Sequence, residues 1–256
     1  MNVMDLFRLD NRVALVTGGN RGLGRQMAQA LAEAGANVAI VSRTAANSEA
    51  AAAEINAATG AACRGYACDV TDPTGVQSTV DQVLADFGQI DILINNAGIN
   101  IRRPIEELSV EEFAQVQATN VTGPWLFCRA VAPHMKARKY GRVINIGSTL
   151  SIISMPDRTP YASSKGAVLQ MTRTLALEWA THNITVNAML PGPFATEMNL
   201  PIKDDPELYK TFIAKIPMGR WGEIEEIGGL AVFLASDASS FVTGASITID
   251  GGWTAY

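Results

Sequence analysis

A tyrosine and a lysine stand four residues apart in the segment TPYASSKGAV, at positions 161 and 165. In a helix, side chains four residues apart lie on the same face and can contact each other. The phenol of a free tyrosine has a pKa of about 10, so only on the order of one in a thousand is ionised at pH 7. A nearby ammonium lowers such a pKa by roughly 1–3 units. The spacing of Tyr161 and Lys165 therefore indicates either a proton donor adjusted towards the working pH or an ordinary pair of surface side chains.

A glycine-rich segment, VTGGNRGLG at 16–24, follows a short apolar run at 12–18. Glycines in such a turn let the backbone bend sharply and let a pyrophosphate approach the amide groups at the start of the next helix. The spacing of Gly18, Gly22 and Gly24 differs from the G-x-G-x-x-G fingerprint, and a tight turn without a ligand is the alternative. The position of the segment in the first strand–helix unit favours a dinucleotide site.

The end of the second apolar run, NVAIVS at 37–42, indicates which dinucleotide binds. An NAD site typically has an acidic residue there, which binds the 2′-hydroxyl of the ribose. Here the run ends in Ser42 and Arg43 without a carboxylate, and a guanidinium suits a 2′-phosphate. Arg21 offers a second positive charge. The pattern favours NADP(H), with NAD(H) as the alternative cofactor, unless both arginines are merely solvated surface groups.

Seven apolar runs predict the strands that must position these residues, and helical segments separate the runs. Strands that alternate with helices predict an α/β fold with a parallel sheet, and continuous apolar runs indicate that both faces of that sheet are covered. We therefore expect one domain over residues 1–256, with a doubly wound seven-stranded parallel sheet and helices on both faces. The stretch 191–222 is rich in Pro and Gly, and we expect an irregular binding loop there. The predicted strands are 12–18, 37–42, 63–70, 90–96, 141–148, 183–190 and 245–250, and the predicted helices are 25–35, 48–60, 73–87, 109–136, 160–181 and 223–236.

Composition narrows the class of protein. The formal net charge of −5 gives no electrostatic reason to expect a nucleic acid or an anionic membrane as a partner. No apolar run approaches the roughly 18 residues that a membrane span requires, and the first residues do not have the pattern of a signal peptide, so we expect a cytoplasmic protein. Three cysteines do not suggest a disulfide framework, and neither histidine has the spacing of a metal ligand, so we expect no metal site.

Six motifs occur in an order and spacing that resemble one known family. The motifs are TGGNRGLG (17–24), NNAG (95–98), Asn120 in ATNVTG, Ser148 thirteen residues before the tyrosine, the Y-x-x-x-K pair Tyr161 and Lys165, and PG (191–192). With them the chain resembles the short-chain dehydrogenases/reductases of the single-domain type over essentially its whole length. The resemblance implies a Rossmann fold and an NAD(P)-dependent enzyme that interconverts a secondary alcohol and a ketone.

The resemblance also implies the roles of individual residues. Tyr161 would be the general acid and base, and Lys165 would lower its pKa and bind the nicotinamide ribose. Ser148 would hydrogen-bond the substrate oxygen, and Asn120 would hold a water that links Lys165 to solvent. The implied cofactor-binding residues are Gly18, Asn20, Arg21, Gly22, Leu23, Gly24, Ser42, Arg43, Asp69, Val70, Asn96, Ala97, Gly98, Tyr161, Lys165, Pro191, Gly192 and Thr196.

The substrate is less well determined by these patterns. Several stretches resemble gluconate 5-dehydrogenase-like enzymes, which act on sugar acids or polyols, and Arg102 after the NNAG motif offers a guanidinium for a substrate carboxylate. The alternative is that Arg102 and Arg103 are exposed beside Pro104. An apolar pocket would instead suit a 3-oxoacyl thioester, as in the related 3-oxoacyl-carrier-protein reductases. The predicted substrate-binding residues are Ser148, Leu150, Arg102 and Phe194, and Ile152 and Met198 are further candidates for an apolar pocket.

Two alternatives of other classes fit less well. A non-catalytic regulator that senses NADP(H) could drop the catalytic residues, whereas this chain keeps all four. A sugar-nucleotide epimerase or dehydratase of the extended type usually has a different glycine spacing and a longer C-terminal domain.

The helix expected after Tyr161 predicts self-association. Its apolar residues cover much of the circumference, so packing one face on the sheet would leave apolar area on another face. Burial of that area between identical helices favours a homodimer or homotetramer, and the resemblance implies the same. The alternative is that the 191–222 stretch covers the helix within one chain. The apolar residues are Val168, Leu169, Met171, Leu175, Leu177 and Trp179.

Overall fold

Seven short strands form one fully parallel sheet in the order β3-β2-β1-β4-β5-β6-β7. The computed structural model describes residues 2–196 and 206–255. Every predicted strand is present. β2 has the predicted bounds, β6 is shifted by one residue, and the other strands are shorter than predicted by one to three residues at an end. The strands are β1 Val13–Thr17, β2 Asn37–Ser42, β3 Cys63–Ala67, β4 Ile92–Asn95, β5 Gly141–Ile146, β6 Ile184–Pro191 and β7 Ser246–Ile249.

Helices cover both faces of this sheet, which confirms the predicted doubly wound α/β fold. Alternate residues of a strand point to opposite faces. The helices are α1 Gly22–Glu33, α2 Ala45–Thr59, α3 Pro73–Phe87, α4 Val110–Gln117, α5 Gly123–Arg138, α6 Thr159–Trp179, α7 Pro206–Ile213 and α8 Glu226–Ala235. In β1, Ala14 and Val16 enter one apolar core with α1, α2 and α8, while Val13 and Leu15 enter a second core with α3, α5 and α6.

The single helix predicted over 109–136 is divided in the structure. A π-helical turn, Ala118–Thr122, separates α4 from α5. Pro124 has no backbone N–H, so it cannot donate the α-helical hydrogen bond to the carbonyl of Asn120 four residues earlier. The change of helical pitch therefore coincides with the asparagine that the sequence singled out.

The expectation of an irregular stretch over 191–222 is wrong in part, because it contains α7. The two ends of the stretch are paired with each other, since Phe194 and Gly222 form a parallel bridge. Met198 lies outside the described residues.

The apolar residues of α6 are mostly covered within the chain. Val168, Leu169 and Trp179 are buried against the sheet and its neighbouring helices, whereas Leu177 is 83% exposed. The expected apolar outer face is therefore much smaller than the sequence pattern suggested. In the described part of the chain, no helix is both long enough and apolar enough to cross a membrane.

Candidate active site

One large cleft, about 1020 Å³ in volume, opens at the carboxyl ends of the strands. It lies across the reversal of strand order between β1 and β4, which is where open α/β sheets bind ligands. All the residues predicted to bind the cofactor line this cleft, as do the predicted substrate-binding residues Ser148, Leu150, Arg102 and Phe194. Of the four predicted catalytic residues, Asn120 lies behind its wall. The predicted residues along the cleft are Gly18, Asn20, Arg21, Gly22, Leu23, Gly24, Ser42, Arg43, Asp69, Val70, Asn96, Ala97, Gly98, Arg102, Ser148, Leu150, Tyr161, Lys165, Pro191, Gly192, Phe194 and Thr196.

The glycine-rich loop joins β1 to α1 along one side of the cleft. Gly18 and Gly22 have φ angles of 63° and 55°, a left-handed conformation that glycine adopts without steric cost. A Cβ atom on Gly24 would collide with the carbonyl of Gly18 and the side chain of Asn96. Gly24 therefore lets the loop pack closely on itself and on Asn96, whereas a Cβ atom on Gly22 would meet open space at the start of α1.

The NNAG motif supports that loop from the neighbouring strand β4. The Asn96 amide nitrogen Nδ2 donates to the carbonyls of Thr17 and Gly18, each at 3.1 Å. The backbone N–H groups of Asn96 and Ala97 donate to Thr17 Oγ1 at 3.0 and 3.1 Å. Asn96 thus holds the glycine loop in shape as well as lining the cleft.

The end of β2 presents a cation to the cleft. Arg43 lines the cleft, and Ser42 Oγ donates to the carbonyl of Thr44 at 2.9 Å. Two hydrogen bonds from Thr71 chiefly lower the pKa of Asp69 opposite, and the charge of Arg43 contributes. Thr44 and Asn47, at the start of α2, also line this end, and the sequence did not single them out.

Ser148, Tyr161 and Lys165 meet at the centre of the cleft. Ser148 follows β5 and caps a short 3-10 turn, because its Oγ accepts from Leu150 N at 3.1 Å. Lys165 Nζ donates to the carbonyl of Ile146 at 2.7 Å and lies 5.6 Å from the centre of the Tyr161 ring. The end of β5 and the first two turns of α6 thus bring a hydroxyl, a phenol and an ammonium close together in the cleft.

Burial controls the pKa values of this pair. It raises the pKa of Tyr161, and a hydrogen bond with Ser148 and the charge of Arg102 oppose that rise. Burial lowers the pKa of Lys165 to about 8. The expectation that Lys165 lowers the pKa of Tyr161 is therefore not met in the protein alone, because removal of the phenol from water outweighs the effect of nearby charge.

Asn120 is fully buried behind the cleft and has three hydrogen bonds. Its Oδ1 accepts from Ile99 N at 2.9 Å, and its Nδ2 donates to Ile99 O at 2.9 Å and to Ser164 Oγ at 3.0 Å. It therefore connects the π-helical turn to the loop after β4 and to α6, and its side chain makes no direct hydrogen bond with Lys165.

The far wall of the cleft begins at the end of β6. Gly192 lies against Asp250 so closely that a Cβ atom would be 2.7 Å from the Asp250 Cα. Thr196 N donates to Phe194 O at 2.8 Å. Leu150 and Phe194 are buried along this wall, whereas Ile152 is 51% exposed and lies outside the cleft, so the suggestion that Ile152 lines a pocket is wrong.

The two neighbouring arginines after the NNAG motif have different surroundings. Arg102 is half-buried and lines the cleft. Arg103 is exposed and donates to Glu112 at 2.9 Å. Of the two, Arg102 therefore faces the cleft.

Sequence reasoning missed several residues of this wall. Arg158 and Met155 line the cleft from the turn before α6, and an aromatic cluster of Phe212, Trp221 and Trp253 lines it from the other side. Proximity of Arg158 to Tyr161 in the sequence was the available signal. Within residues 2–196 and 206–255, no group of three or more His, Cys, Asp or Glu side chains has the arrangement of a metal site.

Comparison with known proteins gives matches over the full chain. Residues 18–254 match the family model described as Enoyl-(Acyl carrier protein) reductase. The chain is 41% identical over 254 residues to gluconate 5-dehydrogenase of Gluconobacter oxydans (strain 621H), with 99% of both chains covered. It is 40% identical to D-threitol dehydrogenase of Mycolicibacterium smegmatis (strain ATCC 700084 / mc(2)155), covering 97% of this chain and 95% of the relative. The crystal structure of a gluconate 5-dehydrogenase from Burkholderia cenocepacia J2315 in complex with NADP and tartrate matches with a TM-score of 0.96 at 39% identity, with 100% of both chains covered.

Proposed function

Because this chain belongs to the short-chain dehydrogenase/reductase family, we propose that it is an NADP(H)-dependent oxidoreductase that interconverts a secondary alcohol and a ketone on a sugar acid or polyol. The observation that carries the proposal is the meeting of Ser148, Tyr161 and Lys165 in one cleft with the glycine-rich loop. The relatives named as gluconate 5-dehydrogenase and D-threitol dehydrogenase support a polyhydroxylated substrate.

The residues at one end of the cleft fit a dinucleotide. The glycine-rich loop leaves room for a pyrophosphate beside Gly22 at the N-terminus of α1, because no atom lies within 4 Å of where a Cβ of that residue would be. Gly18 and Gly24 instead allow the loop to pack closely against its neighbours. Asn20, Leu23, Ala97 and Gly98 would complete this side.

The adenosine and nicotinamide ends would be held separately. Arg43, with Ser42 and Arg21, would bind the 2′-phosphate of NADP(H), and Asp69 and Val70 would contact the adenine. Pro191, Gly192 and Thr196 would hold the carboxamide end, and Lys165 the nicotinamide ribose. NAD(H) is the alternative cofactor. The solved relative that contains NADP supports NADP(H).

The cofactor, when bound, supplies the hydride for reduction and accepts it in oxidation. Tyr161 would protonate the substrate oxygen from its Oη during reduction and receive that proton during oxidation. Ser148 would hold the same oxygen, since its Oγ is oriented by the turn that it caps. Together they would stabilise the negative charge that develops on the oxygen.

Lys165 and Asn120 would serve the proton path. The buried ammonium of Lys165 would stabilise a phenolate at Tyr161 while the proton is absent. The carbonyl of Asn120 receives no α-helical hydrogen bond from Pro124, which supports its predicted role as the anchor of a water that leads to solvent.

The residues that would bind the substrate are Ser148, Arg102, Leu150 and Phe194. The segment 191–222 would form the substrate lobe of the single domain. A second candidate activity, reduction of a 3-oxoacyl thioester, is favoured by one observation: the aromatic cluster Phe212, Trp221 and Trp253 adds apolar surface to the cleft.

We also propose a homodimer or homotetramer. Exposed apolar side chains on three neighbouring helices support it: Phe113 on α4, Trp125 on α5 and Leu177 on α6. Burying such surface between copies stabilises the assembly by roughly 25 cal/mol per Å². A cytoplasmic location stays a prediction.

The test is a panel of ketoses, keto-acids and 3-oxoacyl esters, offered with NADPH and with NADH while the absorbance of the reduced nicotinamide is followed. We expect turnover of polyhydroxylated ketones with NADPH. Tyr161→Phe should lower kcat by at least the roughly 10²–10⁴-fold of general acid–base catalysis while NADPH binding is retained. A Tyr161→Phe enzyme with an unchanged kcat would contradict the assignment, and preferred turnover of the acyl esters would favour the second candidate.

A further inference from the structure

Arg158 is held at the mouth of the cleft by an unusual turn. Pro156 and Asp157 form this turn, and Asp157 has a φ angle of 60°, a conformation that residues other than glycine rarely adopt. Arg158 is the N-cap of α6, and Tyr161 is the third residue of that helix, so the two are one turn apart. The Arg158 side chain is half-buried and lines the same cleft as Tyr161.

Arg102 and Arg158 place two positive charges in this part of the cleft. Burial lowers the pKa of Arg158, the charge of Arg102 lowers it further, and the exposed Asp157 opposes both effects. Neither guanidinium forms an ion pair with any residue that the structure describes, and the recorded hydrogen bond of Arg158 is to the carbonyl of Asp157 at 3.1 Å. Arg103, by contrast, is paired with Glu112.

Two like charges without a counter-ion in a partly buried cleft repel each other, and an anion bound between them relieves that repulsion. A carboxylate suits the pair because a guanidinium binds its two oxygens with parallel hydrogen bonds. The anion would lie near the reacting carbon, because Arg158 is one helical turn from Tyr161. A short substrate with its own carboxylate meets that condition better than a long acyl chain whose charges are on a distant carrier.

We propose that Arg158 is a specificity-determining residue: together with Arg102 it binds the carboxylate of the substrate, so the enzyme prefers sugar acids to the matched uncharged sugars. The inference rests on the proposed function, because it names which of the two substrate classes the same site selects. Arg158 acts on substrate binding, not on proton transfer, so its loss should raise KM and leave kcat nearly unchanged.

The kinetic test uses two ketones that differ at one carbon, 5-keto-D-gluconate and L-sorbose. C1 of the acid is a carboxylate, and the corresponding carbon of L-sorbose, C6, is a hydroxymethyl group. With NADPH, we expect the unmodified enzyme to have the higher kcat/KM for the acid. Arg158→Gln should lower kcat/KM for the acid about 10- to 100-fold through KM and leave L-sorbose little changed, because one charge-assisted hydrogen-bonded contact is lost. Arg158→Lys should be intermediate, since a lysine keeps the charge but not the paired geometry.

Arg103→Gln is the matched control, because it removes the same charge from an exposed arginine outside the cleft. This variant should leave kcat/KM unchanged for both ketones. Equal losses on both ketones after Arg158→Gln, or no loss on the acid, would overturn the inference while leaving the proposed function in place.

A binding measurement separates this inference from the proposed function. Calorimetry on the Tyr161→Phe enzyme saturated with NADP, whose turnover is expected to be at least roughly 10²–10⁴-fold slower, should show binding of D-gluconate and weaker binding of D-glucitol. Adding Arg158→Gln should abolish that difference. If no sugar is turned over, the proposed function fails, and gluconate binding that depends on Arg158 would still support the inference. Absence of gluconate binding, or binding that does not depend on Arg158, would refute it.

Discussion

The buried ammonium of Lys165 makes the stability of the fold depend on pH in a calculable way. The side chain is 5% exposed, and burial lowers its pKa from 10.5 to about 8. Between these two values the folded protein binds fewer protons than the unfolded chain, so stability rises with pH. The destabilisation is complete below about pH 8 and disappears above about pH 10.5. At 1.36 kcal/mol per pKa unit, its full size is about 3 kcal/mol.

Lys165→Met removes this titrating group and tests the calculation. The free energy of unfolding of the wild type minus that of the variant should rise by about 3 kcal/mol from pH 7 to pH 10.5, because all other titrating groups cancel in the difference. The loss of the hydrogen bond to Ile146 O shifts the whole curve without giving it a slope. Urea unfolding at one protein concentration measures both proteins, and Lys215→Met, which removes an exposed positive charge, is the control. A difference that stays flat across this range would refute a depressed pKa at Lys165.

Two further predictions concern the cofactor and the assembly. Arg43→Ala should weaken NADPH binding about 10- to 100-fold and leave NADH binding nearly unchanged, since only NADPH carries the 2′-phosphate that this guanidinium would bind. Fluorescence titration with both cofactors measures the two affinities, and equal weakening of both would contradict the assignment. Light scattering at micromolar concentration should give about two or four times the chain mass of 27.2 kDa, as expected for a homodimer or homotetramer. Leu177→Glu should lower that mass, because Leu177 is the exposed large apolar residue of α6, and a wild-type mass near 27.2 kDa would rule out the assembly.

Short-range patterns were sufficient for the sheet and for the centre of the cleft. Each buried strand is an apolar run, and a parallel sheet brings the carboxyl ends of its strands to one edge. Ser148, Tyr161 and the glycine-rich loop therefore had to converge once their elements were recognised. Helix α3 has its predicted bounds because local signals define both ends: Asp72 caps it and Gly88, with a φ of 78°, ends it.

Other features depend on signals that were overlooked or on tertiary contacts. Helix α7 begins at Pro206, a common first helical residue, and this start signal was hidden by the Pro and Gly content of its surroundings. The apolar residues of α6 predicted too large an exposed face, because β6 and other helices cover more than one side of it. The turn before α6 places the Arg158 side chain in the cleft, and the loop after the NNAG motif places Arg102 there. No local sequence pattern encodes either placement.

The electrostatics of the cleft differ from those of the chain as a whole. The protein has 25 acidic and 20 basic residues, and its net charge of −5 describes a surface that repels anions. In the cleft the balance is reversed, because five basic residues line it and Asp69 is the only acidic residue among its described lining. The basic residues of the cleft are Arg21, Arg43, Arg102, Arg158 and Lys165.

These charges are also distributed along the cleft. Arg21 belongs to the glycine-rich loop and Arg43 follows β2, whereas Arg158 caps the helix that holds Tyr161 and Lys165. Arg102 lies close enough to Arg158 and Tyr161 for its charge to affect the pKa of both. Such an arrangement suits a cofactor with phosphates at one end and a substrate with a carboxylate at the other, with the proton donor between them. Fields inside a partly buried cleft are screened less than those at the open surface, so these few local charges outweigh the net charge for any ligand that enters. An acidic chain can therefore select two anions at one site, and the excess of surface carboxylates helps to keep other polyanions away.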